Sequence, residues 1–382
     1  MKVIHSVGVK LAGGGFGNIA YHAVRAAHRH GILHRVIALG AEKTDIPEEK
    51  IVRIPYPLPL RALGRLLHPS LFYLLKDVYF DLLASRYIED CDIFHGWPNM
   101  MTRSAEKARR LGARVVVIGA SSHPATQTRL LKEEYARYGV RFEPTSKISF
   151  RRMSTDLARA DQILAASKFV YESMLENGVD EKRLSLAPFG VDSQLFHPRT
   201  EETDLFVVLF VGQVCLRKGV QYLLPAWAEL GLKKARLIFA GPISDDARAL
   251  VKEFGKRQDI EFLGLVRNPV ELYRQASVFA FPSIEEGSAL VTYEAMASGL
   301  PVIVSENTGS VGRDGVDGFI VPIRDVDALK EKILYLYRNE EVRRQMGHAA
   351  RCRVEEYTWE RFGNQIADTY ERVLVARKGD VF

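Results

Sequence analysis

The chain has 382 residues, of which 47% are hydrophobic and 26% charged, and its mean hydropathy is -0.08. This balance is typical of a globular protein of two or three domains and excludes disordered and fibrous proteins. The formal net charge is +6, but residues 101–159 alone contain 13 Lys or Arg against 5 Asp or Glu. Such a basic block suits nucleic acid, anionic lipid or a phosphorylated substrate, and it is equally compatible with a solvated helical face.

The apolar runs and the cysteines exclude further classes of protein. No run reaches about 18 uncharged apolar residues, and the apolar stretch at the N-terminus is too short for a signal peptide, so we expect a cytoplasmic protein. Cys91, Cys215 and Cys352 are far apart in the sequence. Their spacing excludes a disulfide framework and a CxxC metal site.

Short apolar runs alternate with helix-like stretches along the whole chain. The predicted strands lie at 3–9, 35–39, 92–95, 114–118, 162–166, 205–210, 236–240, 260–264, 278–282 and 300–304. This alternation predicts doubly wound α/β domains whose parallel strands are buried on both faces. The polar residues 199–204 predict a linker between two such domains.

Residues 56–83 depart from this pattern. They are rich in Leu, Phe and Tyr, carry Arg61, Arg65 and Lys76, and are interrupted by prolines. One interpretation is an element that lies on a membrane surface. The other, which we favour, is a pair of helices packed on the first domain, since prolines would break one long helix.

A glycine-rich turn follows the first predicted strand. Gly13, Gly14, Gly15 and Gly17 precede a helix predicted to begin near Ile19. Backbone N–H groups in such a turn can approach an anion at a helix N-terminus. A dinucleotide fingerprint is incomplete because Asn18 takes the place of the third glycine, and a flexible turn fits equally well. A dehydrogenase is disfavoured, since only Glu42 and Asp45 follow the second strand, in poor register.

Residues 281–305 hold the densest group of candidate functional residues. Glu286 and Glu294 are separated by seven residues, and a helix is predicted to begin near Ala289 between them. The unpaired N–H groups of that helix can hold a diphosphate, and Glu294 in its first turns can accept hydrogen bonds from a ribose diol. Two solvated glutamates on an amphipathic helix are the alternative.

The E-x7-E spacing followed by EAMASGLPVI resembles the nucleotide-sugar signature of the retaining family 4 glycosyltransferases. Further stretches resemble that family in the expected order: LSLAPFGVDSQLF, FVGQVCLRKGVQYLL, IEFLGLV and YTWERFG. The resemblance implies the GT-B fold, α/β with two Rossmann-like doubly wound domains facing across a deep cleft. It implies an acceptor-binding domain at 1–195 with a returning helix at about 360–382, and a donor-binding domain at 196–359.

The resemblance also implies roles for individual residues. Arg217 and Lys218 would neutralise the donor diphosphate and the leaving group, Glu294 would bind the ribose, and Glu286 would contact the transferred sugar. His123, after the strand at 114–118, would approach the transferred sugar, although such a histidine can also simply cap a loop. His95 is a weaker candidate. The remaining implied donor-binding residues are Gly15, Gly17, Gly212, Leu265, Val266, Gly287, Ser288, Ala289 and Leu290.

Three positions depart from the family pattern. Gln213 stands where many relatives carry an arginine, and Ser288 and Ala289 replace the middle of the usual G-F-G-L sequence. These departures leave open a non-catalytic subunit that binds sugar nucleotides. A GT-B sugar-nucleotide epimerase is a further alternative to a transferase.

The implied activity is transfer of a hexose, with retention, from a UDP- or GDP-sugar to a hydroxyl of a saccharide or lipid-linked acceptor, in cell-surface polysaccharide or glycolipid synthesis. No cofactor or metal is expected besides the nucleotide sugar as co-substrate, because D-x-D occurs only at 90–92 and 325–327, in unsuitable settings. No nucleic acid partner is expected. Cations of the basic block could instead bring the protein to an anionic membrane on its cytoplasmic face: Arg103, Arg109, Arg110, Arg129, Lys132, Arg151 and Arg152.

Overall fold

The computed structural model describes residues 1–56, 67, 69–140, 146–198 and 204–379. These residues form two compact units, the first within 1–128, 143–187 and 360–382 and the second within 129–142 and 188–359. Each unit contains one parallel sheet with helices, so the predicted class of two Rossmann-like α/β domains is confirmed. Of the predicted linker at 199–204, residues 199–203 lie outside the described residues.

The first unit is built on a seven-stranded parallel sheet. Its strands are β1 (Val3–Leu11), β2 (Leu33–Ala41), β3 (Ile51–Arg53), β4 (Ile93–Gly96), β5 (Arg114–Gly119), β6 (Gln162–Ala165) and β7 (Leu184–Leu186), in the order β3-β2-β1-β4-β5-β6-β7. The helices in this half of the chain are α1 (Gly15–Arg29), α2 (Pro69–Ala84), α3 (Thr102–Arg110), α4 (Pro124–Arg137), α5 (Lys147–Arg159) and α6 (Lys168–Glu176).

Helix α1 begins at Gly15, so the predicted start near Ile19 is wrong by four residues. Gly14 precedes the helix at φ 77°, a left-handed conformation that glycine adopts readily. A Cβ atom on Gly17 would lie 2.2 Å from the carbonyl oxygen of Lys10. Gly15 and Gly17 therefore belong to the first helical turn, and glycine at 17 lets that turn pack directly against the end of β1.

The second unit is built on a six-stranded parallel sheet. Its strands are β8 (Phe206–Val211), β9 (Ala235–Ala240), β10 (Ile260–Gly264), β11 (Val278–Phe281), β12 (Val302–Ser305) and β13 (Gly318–Val321), in the order β10-β9-β8-β11-β12-β13. Its helices are α7 (Val220–Leu230), α8 (Arg248–Phe254), α9 (Val270–Gln275), α10 (Leu290–Ala297), α11 (Val326–Arg338) and α12 (Glu340–Val354). The chain order reverses between β8 and β11, and ligands of such sheets bind at the carboxyl ends of the strands at this point.

The last helix, α13 (Trp359–Gly379), joins the first unit from residue 360 onward. A Cβ atom on Gly363 would lie 2.6 Å from the Cβ of Ala26, so the two helices α1 and α13 pack closely there. The Tyr370 hydroxyl lies 2.5 Å from His95 Nδ1 and 3.2 Å from His5 Nε2, and the two imidazole rings stack at 4.6 Å. His95 is fully buried. It therefore links α13 to β1 and β4, and its suggested contact with a ligand stays a prediction.

Acid is expected to destabilise the first unit through these two imidazoles. Burial lowers the pKa of His5 to about 3 and lowers the pKa of His95 well below its usual value of 6.5, with nearby His5 adding to the second effect. Below pH 6.5 the unfolded chain binds protons that the folded chain excludes, so the free energy of unfolding falls as the pH drops toward 3. At pH 5.5 the expected loss from His5 alone is about 1.4 kcal/mol.

Urea unfolding at pH 7.0 and 5.5 measures this loss. His5→Gln removes one titrating ring and is expected to reduce the pH-dependent difference. Equal pH dependence in wild type and His5→Gln would contradict the prediction.

Part of the unusual segment at 56–83 is the helix α2, whereas residues 57–66 and 68 lie outside the described residues. Four side chains at helical spacing along α2 are 37–43% exposed: Leu71, Leu75, Val78 and Leu82. No helix in the described part of the chain combines the length and the apolar character that crossing a bilayer would need.

Candidate active site

Arg217 and Lys218 lie in a tight turn that follows β8 at the carboxyl edge of the second sheet. The turn, Leu216–Lys218, ends at Gly219, whose φ of 75° is left-handed. Its position is fixed by the neighbouring strand, since the Arg217 carbonyl accepts hydrogen bonds from Ile284 N at 2.9 Å and from Ser283 Oγ at 3.1 Å. The turn after β8 is thus attached to the loop after β11, across the point where the strand order reverses.

Both cations meet Glu286 in that loop. The Glu286 Oε2 atom lies 3.3 Å from Arg217 Nη1 and forms an ion pair with Lys218 Nζ. Arg217 is held further by the Glu285 carbonyl at 3.0 Å, while the buried Glu285 carboxylate lies 3.5 Å from the guanidinium. The structure therefore brings together three of the residues to which the sequence analysis gave catalytic roles.

Lys218 is largely buried. Its side chain is 11% exposed, and its ammonium lies 5.0 Å from the centre of the Phe281 ring. Burial lowers the pKa of Lys218 well below its usual value, and the neighbouring Arg217 guanidinium lowers it further. A cation with little hydration and low surrounding dielectric interacts strongly with an incoming anion.

The loop after β11 is braced by buried polar side chains that follow β12. Asn307 Nδ2 donates to the Ile284 carbonyl at 2.8 Å, and Thr308 Oγ1 donates to the Phe281 carbonyl at 3.0 Å. The Ser305 hydroxyl donates to the Ser283 carbonyl. These bonds satisfy carbonyl groups that a loop of this kind would otherwise leave buried and unpaired, so the backbone before Glu286 is fixed.

Helix α10 begins at Leu290 with Ala289 as its N-cap, which agrees with the predicted start near Ala289. No side chain caps this end, and the first turn contains no acidic residue. The Ser288 hydroxyl lies 2.9 Å from the Tyr293 hydroxyl and 3.2 Å from the Gly309 carbonyl. The N-terminus of α10 therefore directs its positive dipole end toward the loop that carries Gly287.

Glu294 lies on the second turn of α10 and accepts a hydrogen bond from Tyr273. The Tyr273 hydroxyl donates to Glu294 Oε2 at 2.8 Å. Burial raises the pKa of Glu294, and the Tyr273 hydrogen bond acts in the opposite direction. The carboxylate is thus oriented by a neutral donor.

The other predicted donor-binding residues lie at the ends of neighbouring strands. Gly212 follows β8 at φ 140°, next to the exposed Gln213. Leu265 and Val266 follow β10, where Leu265 is 74% exposed and Val266 is half-buried. All of them lie at the carboxyl edge of the second sheet, and their roles stay predictions.

The remaining predicted residues lie in the first unit. His123 follows β5 and precedes α4, and its Nδ1 atom accepts a hydrogen bond from Ala125 N at 3.3 Å. Its backbone N–H donates to Ser173 Oγ at 3.0 Å. Burial lowers the pKa of His123, so a neutral ring whose Nε2–H can donate is expected at pH 7. Gly15 has open space around its Cβ position, in contrast to the crowded Gly17.

One aspartate of each D-x-D sequence makes a local contact with a backbone N–H group. Asp92 accepts from the backbone N–H of Lys2 at 2.6 Å, and Asp325 caps α11 through Ala328 N at 2.8 Å. Across the described ranges, no group of three or more His, Cys, Asp or Glu side chains is arranged to hold a metal ion.

Two side chains of this site were not singled out from the sequence. Glu285 precedes a predicted site residue, and its burial beside Arg217 depends on the loop conformation. Tyr273 lies 21 positions before Glu294 on another helix. No local pattern joins the two, so only the fold reveals their contact.

Two family models match this chain. Residues 13–195 match the model described as Glycosyltransferase Family 4, and residues 192–353 match Glycosyl transferases group 1.

Curated relatives align with part of the chain. The phosphatidyl-myo-inositol mannosyltransferase of Mycobacterium leprae is 34% identical over 239 residues, 60% of this chain and 61% of that protein. The capsular polysaccharide biosynthesis glycosyltransferase CapM of Staphylococcus aureus is 28% identical over 228 residues, 54% of this chain and 59% of CapM. The chain thus spans about three fifths of the length of these relatives.

Solved structures align over nearly the whole chain. Sucrose-phosphate synthase of Thermosynechococcus elongatus has a TM-score of 0.73 at 21% identity, covering 98% of this chain and 100% of that chain. Anabaena HepE in complex with UDP-glucose has a TM-score of 0.70 at 16% identity, covering 97% and 100%. At these identities the likeness concerns the fold, and it confirms the predicted GT-B class.

Proposed function

This chain belongs to the group 1 glycosyltransferases, and we propose that it transfers a hexose from a nucleotide-diphosphate sugar to a hydroxyl of a saccharide or lipid-linked acceptor. The observation that carries this proposal is the convergence of Arg217 and Lys218 on Glu286 at the carboxyl edge of the second sheet. Two cations beside an uncapped helix N-terminus suit a diphosphate, and an adjacent carboxylate suits sugar hydroxyls.

In this proposal the two cations act mainly on the leaving group. Negative charge accumulates on the nucleoside diphosphate as the bond to the sugar breaks, and fixed positive charges that meet it there lower the barrier. Arg217 presents a fork of donors, and Lys218 presents a compact charge. With these groups in place, we propose that the reaction proceeds without a metal or a further cofactor.

The remaining steps follow from the family resemblance. We propose that the anomeric configuration is retained by a displacement on the face of the leaving group, with the departing phosphate helping to take the acceptor proton. No carboxylate nucleophile is assigned. Glu294 binds the ribose, Glu286 contacts the transferred sugar, and the neutral ring of His123 donates to a sugar hydroxyl.

The donor and acceptor classes are proposed from the relatives. HepE is solved with UDP-glucose, which favours a UDP-sugar here, with a GDP-sugar as the second choice. CapM is named for capsular polysaccharide and the Mycobacterium leprae relative for phosphatidyl-myo-inositol. We therefore propose a role in cell-surface polysaccharide or glycolipid synthesis.

A donor screen followed by a transfer assay tests this function. UDP-, GDP- and ADP-sugars are compared by thermal shift, where a ligand at about 100 times its Kd stabilises the fold by about 2.7 kcal/mol. The best donor is then incubated with acceptor saccharides and glycolipids, and the anomeric configuration of the product is read by NMR. Inversion would refute retention. A changed sugar on the nucleotide without acceptor would indicate an epimerase, and binding without turnover a non-catalytic subunit.

We also propose peripheral contact with an anionic membrane through α2. Four of the seven cations that the sequence analysis assigned to this contact are in ion pairs: Arg109 with Asp161, Arg110 with Glu106, Arg129 with Glu133 and Arg152 with Asp81. The exposed apolar stripe of α2 therefore carries more of the proposed contact than the basic block does.

Replacing Leu75 by Asp is expected to weaken binding to phosphatidylcholine vesicles containing phosphatidylglycerol by roughly tenfold, because burial of one leucine contributes about 1.5–3 kcal/mol. Co-sedimentation measures the effect. Leu111→Asp, at a similarly exposed leucine outside α2, is the control. Binding that is absent, or equal for Leu75→Asp and wild type, would favour a soluble acceptor and no contact through α2.

A further inference from the structure

We infer that Tyr273 is a positioning residue for the ribose of the donor: its hydroxyl holds one oxygen of Glu294 so that the other oxygen is presented to the ribose diol. This inference rests on the proposed function and deepens it. Tyr273 does not contact the reacting atoms in this view, and acts only through Glu294.

Tyr273 is held firmly enough to position another group. It is fully buried on α9, and its ring packs edge-on against Phe196 with centroids 5.7 Å apart. The Phe279 ring lies against it at a tilt of 42°, with centroids 5.9 Å apart. Its hydroxyl lies 2.8 Å from Glu294 Oε2 and 3.4 Å from the Val291 carbonyl. A tyrosine hydroxyl has one hydrogen, and the shorter contact to a carboxylate takes it.

Glu294 depends on this single donor. Within the described ranges, no other side chain or backbone N–H donates to its carboxylate, and no cation lies within ion-pair distance of it. Its Oε1 atom therefore has no donor in this part of the chain. A half-buried carboxylate with one oxygen satisfied is suited to accept from a ligand hydroxyl at the other.

The hydrogen bond from Tyr273 fixes the orientation of the Glu294 carboxylate. A glutamate has three rotatable side-chain bonds, and ordering them costs conformational entropy. Tyr273 fixes that geometry before any ligand arrives, because its own ring is immobilised between two phenylalanine rings. Removal of the hydroxyl should thus weaken interactions with the ribose while leaving the diphosphate contacts of Arg217 and Lys218 intact.

Binding of UDP and of 2′,3′-dideoxy-UDP to wild type and Tyr273→Phe, measured by calorimetry, tests the inference. Wild type is expected to prefer UDP by roughly tenfold or more, since hydrogen bonds to a charged group contribute about 1.5–3 kcal/mol. Tyr273→Phe should reduce this preference at least about threefold by weakening UDP binding, with the affinity for the dideoxy nucleotide unchanged. If Tyr273 had only a structural role, Tyr273→Phe would lower the affinity for both nucleotides equally.

Two further variants sharpen the test. Glu294→Gln should remove most of the preference, and adding Tyr273→Phe to it should have no further effect. Tyr337→Phe is the control. Tyr337 lies on α11 and its hydroxyl donates to the Lys233 carbonyl at 3.0 Å, so its removal should leave both affinities unchanged. Circular dichroism and urea unfolding establish that each variant is folded at the temperature used.

The outcomes separate the inference from the function on which it rests. A wild-type protein that binds no nucleotide, or binds both nucleotides equally, would overturn the proposed function at Glu294. A wild-type preference that survives intact in Tyr273→Phe would overturn only the role of Tyr273. An equal loss of affinity for both nucleotides in Tyr273→Phe would also overturn the role of Tyr273.

Discussion

Replacing Lys218 by Met is expected to lower kcat/KM for sugar transfer by roughly 10²- to 10³-fold, the usual cost of removing one fixed group that stabilises transition-state charge. Methionine fills most of the space of the lysine stem without its charge. The ammonium is largely buried beside Arg217 and Glu286, and a buried charge interacts more strongly with an incoming anion than an exposed one does. Steady-state kinetics with the best donor and acceptor measure the loss.

The matched control for this variant is Lys256→Met, which removes an exposed lysine of the same unit and should leave kcat/KM unchanged.

The pH dependence of UDP affinity tests the role of Lys218 in a second way. Because the pKa of Lys218 is lowered, wild-type affinity for UDP is expected to fall as the pH rises through a value below the ordinary lysine range. Lys218→Arg should not show this fall, since arginine stays charged. Full transfer activity in Lys218→Met would refute the assignment.

Replacing Gly219 by Ala is expected to destabilise the second unit by about 3 kcal/mol or more. Gly219 has φ 75°, and a Cβ atom there would lie 1.9 Å from the carbonyl oxygen of Pro282. Backbone atoms cannot yield as a flexible side chain does, so either the turn or the loop after β11 must move. Urea unfolding measures the stability, and UDP affinity is expected to fall with it because Lys218 precedes this glycine.

Gly231 offers a control at the other end of the same helix. It has φ 55°, but a Cβ atom there would meet no other atom within 4 Å. Gly231→Ala thus carries only the cost of the left-handed conformation, about 1–2 kcal/mol, and should leave UDP affinity unchanged. Equal destabilisation by the two alanines would show that the contact with Pro282 has no effect of its own.

The sequence predicted the central strands well because burial on both faces leaves continuous apolar runs. Each of the ten predicted strands lies on an observed one, β8 and β11 among them. The short strands β3, β7 and β13 were not predicted, because each has only three or four residues and lies at or near a sheet edge. Such strands form when a neighbouring strand is already in place, and their own sequence carries little signal.

In the candidate site, too, residues within sequence motifs were predicted, whereas contacts between separate elements were not. Arg217, Lys218 and Glu286 were predicted from local motifs, and the structure places them in contact. Motifs could not show that Glu285 is buried against Arg217, or that Tyr273 donates to Glu294, because those contacts join separate elements. The start of α1 was misplaced since a glycine-rich sequence predicts a turn, whereas the close approach of Gly17 to β1 admits a helix there.

The side chains of Ser305, Asn307 and Thr308 limit which positions near the loop after β11 can be replaced. Their side chains donate to the carbonyls of Ser283, Ile284 and Phe281, so these three polar residues tolerate few substitutions. Substitutions are better tolerated at neighbouring positions whose side chains hold no carbonyl in place. Leu265, 74% exposed at the end of β10, is such a position, and its replacement should change stability little.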